Sequence, residues 1–161
     1  MDCSKPFQRV INGEALAGKI SRVLVPVDLS ASSAEVLYYA RMFAKPFDAI
    51  VELLHVVQLN IVGEELGVPR LGLIRELSDN ARRELHKLVE KLWDDDIVGA
   101  IAVREGRPHE IIIQEARDMN AGIIVMGSRN RVALSRLLRR GTESRVIRNA
   151  PCPVLTVRKV T

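Results

Sequence analysis

Short apolar runs alternate with longer amphipathic stretches from residue 21 to the end of the chain. The central runs are nearly continuous in valine, isoleucine and leucine, which is typical of strands that helices cover on both faces. The runs that predict strands are 22–28, 49–57, 97–104, 122–126 and 154–158. Each has the length of an ordinary strand, so the pattern predicts a five-stranded sheet.

The stretches between the runs repeat apolar residues every three or four positions, as amphipathic helices do. Pro108 stands near the first turn of one predicted helix, where its missing N–H costs nothing. Gly141 separates the last two helices, and the Thr142 side chain is expected to cap the second of them. The predicted helices are 32–45, 73–95, 108–119, 134–140 and 143–149.

The alternation of strands and helices predicts an α/β fold. The expected form is a three-layer, doubly wound, five-stranded parallel sheet of the Rossmann-like kind, with right-handed crossovers. Residues 1–20 show little periodicity and are interpreted as an N-terminal extension with one short helical turn, so the domain proper covers 21–161. The longest connection, 58–70, is a candidate lid over the strand ends, but a surface loop is favoured.

Composition narrows the choice of partners. The net charge of +4 suits an anionic ligand, but it is too mild to indicate nucleic acid when aromatic residues make up only 4% of the chain. No apolar run reaches the ~18 residues of a membrane helix, and two distant cysteines, Cys3 and Cys152, make no disulfide framework. We therefore expect a cytoplasmic protein. Arginines concentrated in 129–148 predict either a solvated helical surface or a contact with an acidic protein.

Ligands of open α/β sheets bind outside the carboxyl ends of the strands, where the strand order reverses. The first and fourth strands are the expected neighbours there, so the candidate residues are Pro26, Val27, Asp28, Met126 and Gly127. The Asp28 carboxylate suits a base amino group or a ribose hydroxyl, although supporting the turn or capping the helix is the simpler interpretation. Gly127 is expected to let the backbone turn sharply and a phosphate approach.

Patterns of catalytic or metal-binding residues are missing from the sequence. His55 lies inside a predicted strand, where a structural role is expected, and His109 lies in the first turn of a helix, where exposure to solvent is expected. Neither has a serine or cysteine placed for nucleophilic catalysis, and no two histidines have metal-ligand spacing. No P-loop or dinucleotide-binding glycine motif follows the first strand. Kinase, P-loop NTPase and dehydrogenase functions are therefore disfavoured.

Four parts of the chain match the pattern of one known family, in order and at its spacing, over about 21–159. They are 23–30 (VLVPVDLS), 53–56 (LLHV), 105–108 (EGRP), and 124–129 with 145–155 (IVMGSR and RVIRNAPCPVL). On these residues the chain resembles the universal stress proteins.

The resemblance implies an adenine-nucleotide-binding type of fold with strand order 3-2-1-4-5. It also implies a homodimer formed by pairing the last strands, 154–158 here, which would remove an exposed sheet edge. In ATP-binding members, the positions of Asp28 and Val56 hold the adenine. The ribose and phosphates lie on a signature of glycine, two residues, glycine, nine residues, then glycine and serine or threonine.

This chain departs from that signature by substitution. Gly127 matches the first glycine, but Asn130 and Arg140 occupy the positions of the other two. Gly141 and Thr142 would complete the signature only after a shift of one residue. The spacing from 127 to 145 equals the family's usual spacing, which argues against an inserted residue.

The substitutions have opposing consequences for a phosphate. Asn130 tolerates positive φ better than other non-glycine residues, so the turn is expected to survive. Arg140 would either fill the phosphate space or donate to a phosphate, and Glu143 would oppose a triphosphate through like-charge repulsion. The predicted nucleotide-binding residues are Pro26, Val27, Asp28, Val56, Met126, Gly127, Arg129, Asn130, Gly141 and Thr142.

The leading hypothesis is a dimeric stress-response or regulatory protein that binds ATP, ADP or AMP through a degenerate phosphate motif. Whether Mg²⁺ accompanies ATP is left open. The alternative is a dimeric interaction module that does not bind nucleotide. A nucleotide-hydrolysing enzyme is the least favoured function, because no general base is evident in the sequence.

Overall fold

The computed structural model describes residues 10–11, 14–15, 20–58, 70–93, 97–128 and 141–158. Near the N-terminus, strands β1 (Val10–Ile11) and β2 (Glu14–Ala15) pair in antiparallel orientation. The described residues of the extension therefore form strands, and the helical turn that we expected in 1–20 is not among them. The boundary between extension and domain at residue 20 stays a prediction.

The main sheet contains β3 (Arg22–Pro26), β4 (Ile50–Val57), β5 (Val98–Glu105), β6 (Ile123–Ser128) and β7 (Val154–Arg158). All neighbouring strands are parallel, and their spatial order is β5-β4-β3-β6-β7. Counted along the chain within this sheet, the order is 3-2-1-4-5. The predicted fold class and strand order are confirmed.

In the part of the chain that the structure describes, four α-helices cover the two faces of the sheet. They are α1 (Ser33–Ala44), α2 (Arg70–Leu92), α3 (Pro108–Asp118) and α4 (Thr142–Asn149), and a 3₁₀ turn, Lys45–Phe47, follows α1. Each corresponds to a predicted helix, whereas the predicted helix 134–140 lies outside the described residues. Of the helices described, none is both long and apolar enough to traverse a lipid bilayer.

Side chains alternate between two apolar cores, one on each face of the sheet, because successive strand residues point to opposite sides. The core under α1 and α2 includes Val23, Val25, Leu37, Leu53, Leu85 and Val125. The core under α3 and α4 includes Leu24, Leu54, Ile112, Ala116, Ile124 and Val146. Burial on both faces explains why the central runs are continuously apolar.

Three predicted boundaries are wrong in ways that affect the strand ends. Strand β3 ends at Pro26 instead of residue 28, because Asp28 turns back to bond its own loop. Strand β6 continues through Gly127 to Ser128, because β7 supplies a pairing partner up to Arg158. Thr142 is the first residue of α4 and not its cap; Gly141 occupies the cap position, and no side chain caps the helix.

Candidate functional site

The sheet opens between β3 and β6 at its carboxyl edge. Register pairs between these strands are confined to Val23–Ile123 and Leu24–Ile124. By contrast, β3 stays paired with β4 through Pro26, and β6 stays paired with β7 through Ser128. The two strands therefore separate where the strand order reverses, which is where open α/β sheets form a ligand crevice.

The loop on the β3 side of this crevice is held in a specific shape. Asp28 Oδ1 accepts the Ser30 N–H at 3.1 Å and lies 3.5 Å from the donating Ser33 hydroxyl. Between them, Leu29 has a φ of 58°, in the left-handed region that apolar residues rarely adopt. Such backbone strain persists only where the surroundings impose it, and it concentrates at functional sites. Asp28 does support the turn, as the simpler interpretation had it.

His55 connects β4 to this loop. Its Nδ1 lies 2.8 Å from the Val27 carbonyl oxygen, and because a carbonyl only accepts, Nδ1 carries the proton. The Val27 N–H in turn donates to the Leu54 carbonyl at 2.8 Å. The structural role expected for His55 is confirmed: it fixes the residue that precedes Asp28. Val56, the next residue, is partly buried and packs against the core under α3 and α4.

Gly127 has a packing role inside β6. A Cβ built on it would lie 3.2 Å from Val36 Cγ2 of α1, so the missing side chain lets α1 approach the strand closely. The φ of Gly127 is not in the left-handed region. The prediction of a sharp turn at this glycine is therefore wrong. The side chains of Val27 and Met126 are 5% exposed and belong to the cores. Their side chains are therefore not available to a ligand.

The β6 side of the crevice carries two residues that are not among the predicted nucleotide-binding residues, although Ser128 belongs to the predicted Gly127 loop and Glu143 was expected near the phosphates. The Ser128 hydroxyl donates to Glu143 Oε2 over 3.0 Å, and both residues are partly buried. The bond joins the end of β6 to the first turn of α4. Ser128 could have been noted from the sequence because it follows Gly127 directly. Its contact with Glu143 could not, because the two residues are 15 positions apart in the chain and only folding brings them together.

The remaining predicted residues divide into two groups. Gly141 is exposed and Thr142 partly buried, both at the start of α4 and close in sequence to Glu143. Arg129, Asn130 and Arg140 lie outside the described residues.

His109 is 17% exposed, so the expectation that it faces solvent is wrong. Arg145 Nη1 lies 3.0 Å from His109 Nε2. A guanidinium only donates, so His109 Nε2 accepts this hydrogen bond. This bond joins the N-terminal turn of α3 to α4.

Two ionisable side chains, Glu52 and Cys152, have pKa values raised above their usual ones. Burial raises the pKa of Glu52, with a further rise from the Glu115 carboxylate, against the lowering effects of Arg104 and Arg22. Burial also raises the pKa of the Cys152 thiol, which makes it a weak nucleophile. Within the described ranges, no three His, Cys, Asp or Glu side chains gather as metal ligands.

Comparison with known proteins identifies the family. The model of the universal stress protein family matches residues 19–158 of the chain. The chain belongs to the universal stress protein family. Among its relatives in this family, Universal stress protein MJ0531 of Methanocaldococcus jannaschii is 37% identical over 152 residues, which covers 92% of this chain and 86% of the relative.

Solved structures of the family have the same fold. The structure of protein MJ0577 aligns with a TM-score of 0.68 and 26% identity, covering 89% of this chain and 99% of that one. A universal stress protein in complex with cAMP aligns with a TM-score of 0.56 at 19% identity, covering 88% and 99% of the two chains. One from Archaeoglobus fulgidus in complex with dAMP aligns with a TM-score of 0.59 at 21% identity, covering 86% and 98%.

Proposed function

We propose that this protein binds an adenine nucleotide in the crevice between β3 and β6 and acts as a stress-response or regulatory binding protein. The observation that carries the proposal is the separation of these strands beyond Leu24 and Ile124, with Asp28 on one side and Gly127 and Ser128 on the other. The crevice thus has a hydrogen-bonding carboxylate on one side and the end of β6 on the other.

Family relatives support the class of ligand. The complexes with cAMP and dAMP show that members of this fold hold adenine nucleotides. Here the Asp28 carboxylate and the Val56 position would contact the adenine, and the phosphates would extend past Gly127 toward Gly141 and Thr142. ATP, ADP and AMP are the candidate ligands, with Mg²⁺ accompanying ATP as an additional candidate.

The carboxylate of Asp28 is the group to test first. In Asp28→Asn the amide oxygen can still accept the Ser30 N–H, so the turn is kept, but the other carboxylate oxygen is replaced by an NH₂ donor. An NH₂ cannot accept from the adenine amino group. We expect about tenfold weaker binding of AMP, measured by calorimetry on protein stripped of ligand by denaturation and refolding.

Two controls separate recognition of the base from damage to the fold. Asp79→Asn makes the same chemical change on the exposed surface of α2 and is expected to leave AMP binding unchanged. Inosine monophosphate lacks the adenine amino group, so Asp28→Asn should weaken its binding less than that of AMP. Absence of heat with AMP, ADP and ATP at millimolar concentration would show that the proposed function is wrong.

The proposal includes a homodimer through β7, Val154–Arg158. Among the described strands β7 pairs with β6 alone, so its outer edge offers unpaired backbone groups for a second copy. The predicted cytoplasmic location stays a prediction.

A dimeric interaction module without nucleotide is the second candidate, and one surface favours it. Tyr38 and Met42 of α1 are 64% and 49% exposed, and Tyr38 stacks edge-on against Tyr39 with ring centroids 5.5 Å apart. Exposed apolar clusters of this kind mark protein-contact surfaces. The same calorimetric titration decides between the two candidates, because a module of this kind would release no heat with any of the three nucleotides.

A further inference from the structure

One nitrogen of His109 holds the start of α3 against α4. His109 is the second residue of α3, and its side chain is 17% exposed. Its Nε2 accepts a hydrogen bond from Arg145 Nη1 of α4 over 3.0 Å. The two residues are 36 positions apart in the chain, so the bond ties together two helices that are distant in the sequence.

A carboxylate lies close to the same nitrogen. Glu110 Oε1 is 3.7 Å from His109 Nε2, which is ion-pair distance but too long for a hydrogen bond. The same oxygen accepts from Arg107 Nη1 at 3.2 Å, and the side chains of Arg107 and Glu110 are mostly exposed. His109 Nε2 therefore has both a cationic donor and an anionic acceptor as neighbours.

These two neighbours need opposite states of the nitrogen. A guanidinium only donates, so Arg145 can bond Nε2 only while Nε2 carries no proton. An ionised carboxylate only accepts, so Glu110 can bond Nε2 only when Nε2 is protonated. Protonation would also bring two positive charges together across the 3.0 Å contact, where like charges repel strongly because the ring is partly buried.

The other charged groups around this contact interact away from the imidazole. In the described parts of α3, α4 and the end of β5 they are Glu115, which pairs with Arg104, Glu143, which bonds Ser128, Arg148, which is exposed, and Glu105, which has an interaction of its own. Among the described residues, Glu110 is therefore the carboxylate at ion-pair distance from His109.

We propose that His109 is a proton-operated switch between α3 and α4. Histidine is the side chain that ordinarily changes its charge between about pH 5 and pH 8. Above this range Arg145 ties α4 to α3; on acidification the imidazolium releases Arg145 and pairs with Glu110 inside α3. Val146 keeps α4 anchored in the core, so the response is a local loosening of α4 and not unfolding of the domain. The switch does not depend on nucleotide binding.

The test follows hydrogen–deuterium exchange of 142–149 in the full chain by mass spectrometry, from about pH 8 to about pH 5. Each rate is corrected for the intrinsic effect of pH on exchange. We expect protection of α4 to fall by about tenfold on acidification, the effect of losing one hydrogen bond to a charged donor. The ¹⁵N shifts of the imidazole report the proton on His109 and should change over the same pH range.

Three variants separate the proton from the bond. The oxygen of His109→Gln can accept from Arg145 but does not titrate, so α4 should stay protected at every pH. Arg145→Met keeps an unbranched side chain but removes the donor, so protection should be low at every pH. Glu110→Gln removes the acceptor of the protonated ring, so release of Arg145 should need a more acidic solution.

The matched control is His86→Gln on the exposed surface of α2, which should leave the response of α4 to pH unchanged. A response that persists in His109→Gln or in Arg145→Met would show that another group causes it, and the inference would be wrong. It is equally wrong if His109 takes up its proton while the protection of α4 stays constant, or if His109 takes up no proton down to about pH 5. An unchanged midpoint in Glu110→Gln would refute the exchange of partners.

Discussion

At the scale of single residues, hydrogen bonds within the loop after β3 and to the neighbouring strand fix the conformation around Asp28. Asp28 bonds the N–H two residues ahead, and Leu29 takes the left-handed conformation that this turn requires. His55 then fixes the preceding carbonyl from the neighbouring strand. These bonds restrict the Asp28 side chain, so in the proposed complex the entropic cost of contacting a ligand would be lower.

The surroundings of Glu52 disfavour its ionised form. It lies in β4, where burial and Glu115 raise its pKa above the usual 4.5, and Arg104 and Arg22 only partly offset them. The folded protein therefore binds this proton more tightly than the unfolded chain does. The free energy of unfolding consequently falls as the pH rises from 4.5 through the folded pKa, because the charged form is disfavoured in the native state.

Glu52→Gln should for this reason stabilise the protein at neutral pH. We expect a thermal midpoint about 1–3 °C above that of the native protein at pH 7, and a difference that disappears as the pH falls below 4.5. Differential scanning calorimetry across this pH range measures it. Glu76→Gln, on the exposed surface of α2, serves as the control. A variant that is less stable at pH 7 would show that attraction to the arginines outweighs burial.

At the scale of elements, the contact between α1 and β6 depends on one missing side chain. Gly127 faces Val36, which is 4% exposed in the core. A Cβ at 3.2 Å from Val36 Cγ2 would force the helix or the valine to move by a few tenths of an ångström. Because α1 follows the Asp28 loop directly, a displacement of this helix would also reach the candidate site.

Gly127→Ala is expected to destabilise the fold by about 1 kcal/mol through overpacking. In a Val36→Ala background the added methyl has room, so its cost should fall toward zero, and a double-mutant cycle from urea denaturation measures the difference. Gly72→Ala has no atom within 4 Å of the new Cβ and should instead stabilise α2. An equal cost of Gly127→Ala in both backgrounds would mean that the helix–strand contact is not the cause.

At the scale of the whole molecule, the two edges of the sheet differ in sequence. Strand β5 at one edge ends in two charged residues, Arg104 and Glu105, whereas β7 at the other has one, Arg158, after the uncharged run 154–157. Charged residues discourage pairing of an edge, whereas apolar and β-branched residues favour it. The β7 edge is therefore the better candidate for pairing with a second copy.

A two-fold axis through an antiparallel β7 pair would bring the middle residue, Thr156, close to its own counterpart. Thr156→Lys places two ammonium groups there and should convert a dimer into a monomer, most strongly at low salt. Thr156→Val keeps the β-branched shape and should stay dimeric. Sedimentation equilibrium measures the mass against the 18.0 kDa of one chain. A native protein that sediments at 18.0 kDa would rule out the dimer.

Periodicity and composition predicted the fold class, the five strands, and the four described helices within a few residues of their bounds. The order of the strands was predicted from the family resemblance. The prediction of these elements succeeded because burial on one or two faces imposes a periodicity of apolar residues that the sequence itself shows. The positions of Asp28 and Gly127 at the carboxyl edge followed from the same rule, since parallel strands end at a common edge.

Other features were decided only by the tertiary structure. The role of Gly127 as a close contact for α1, the burial of His109 against Arg145 and the meeting of Ser128 with Glu143 all join residues far apart in the sequence. The contacts between distant side chains depend on where the strands separate and how the helices pack on the sheet. No local sequence pattern predicts this. The secondary structure of this protein can therefore be predicted from its sequence, whereas the contacts between side chains around the crevice are decided by tertiary packing.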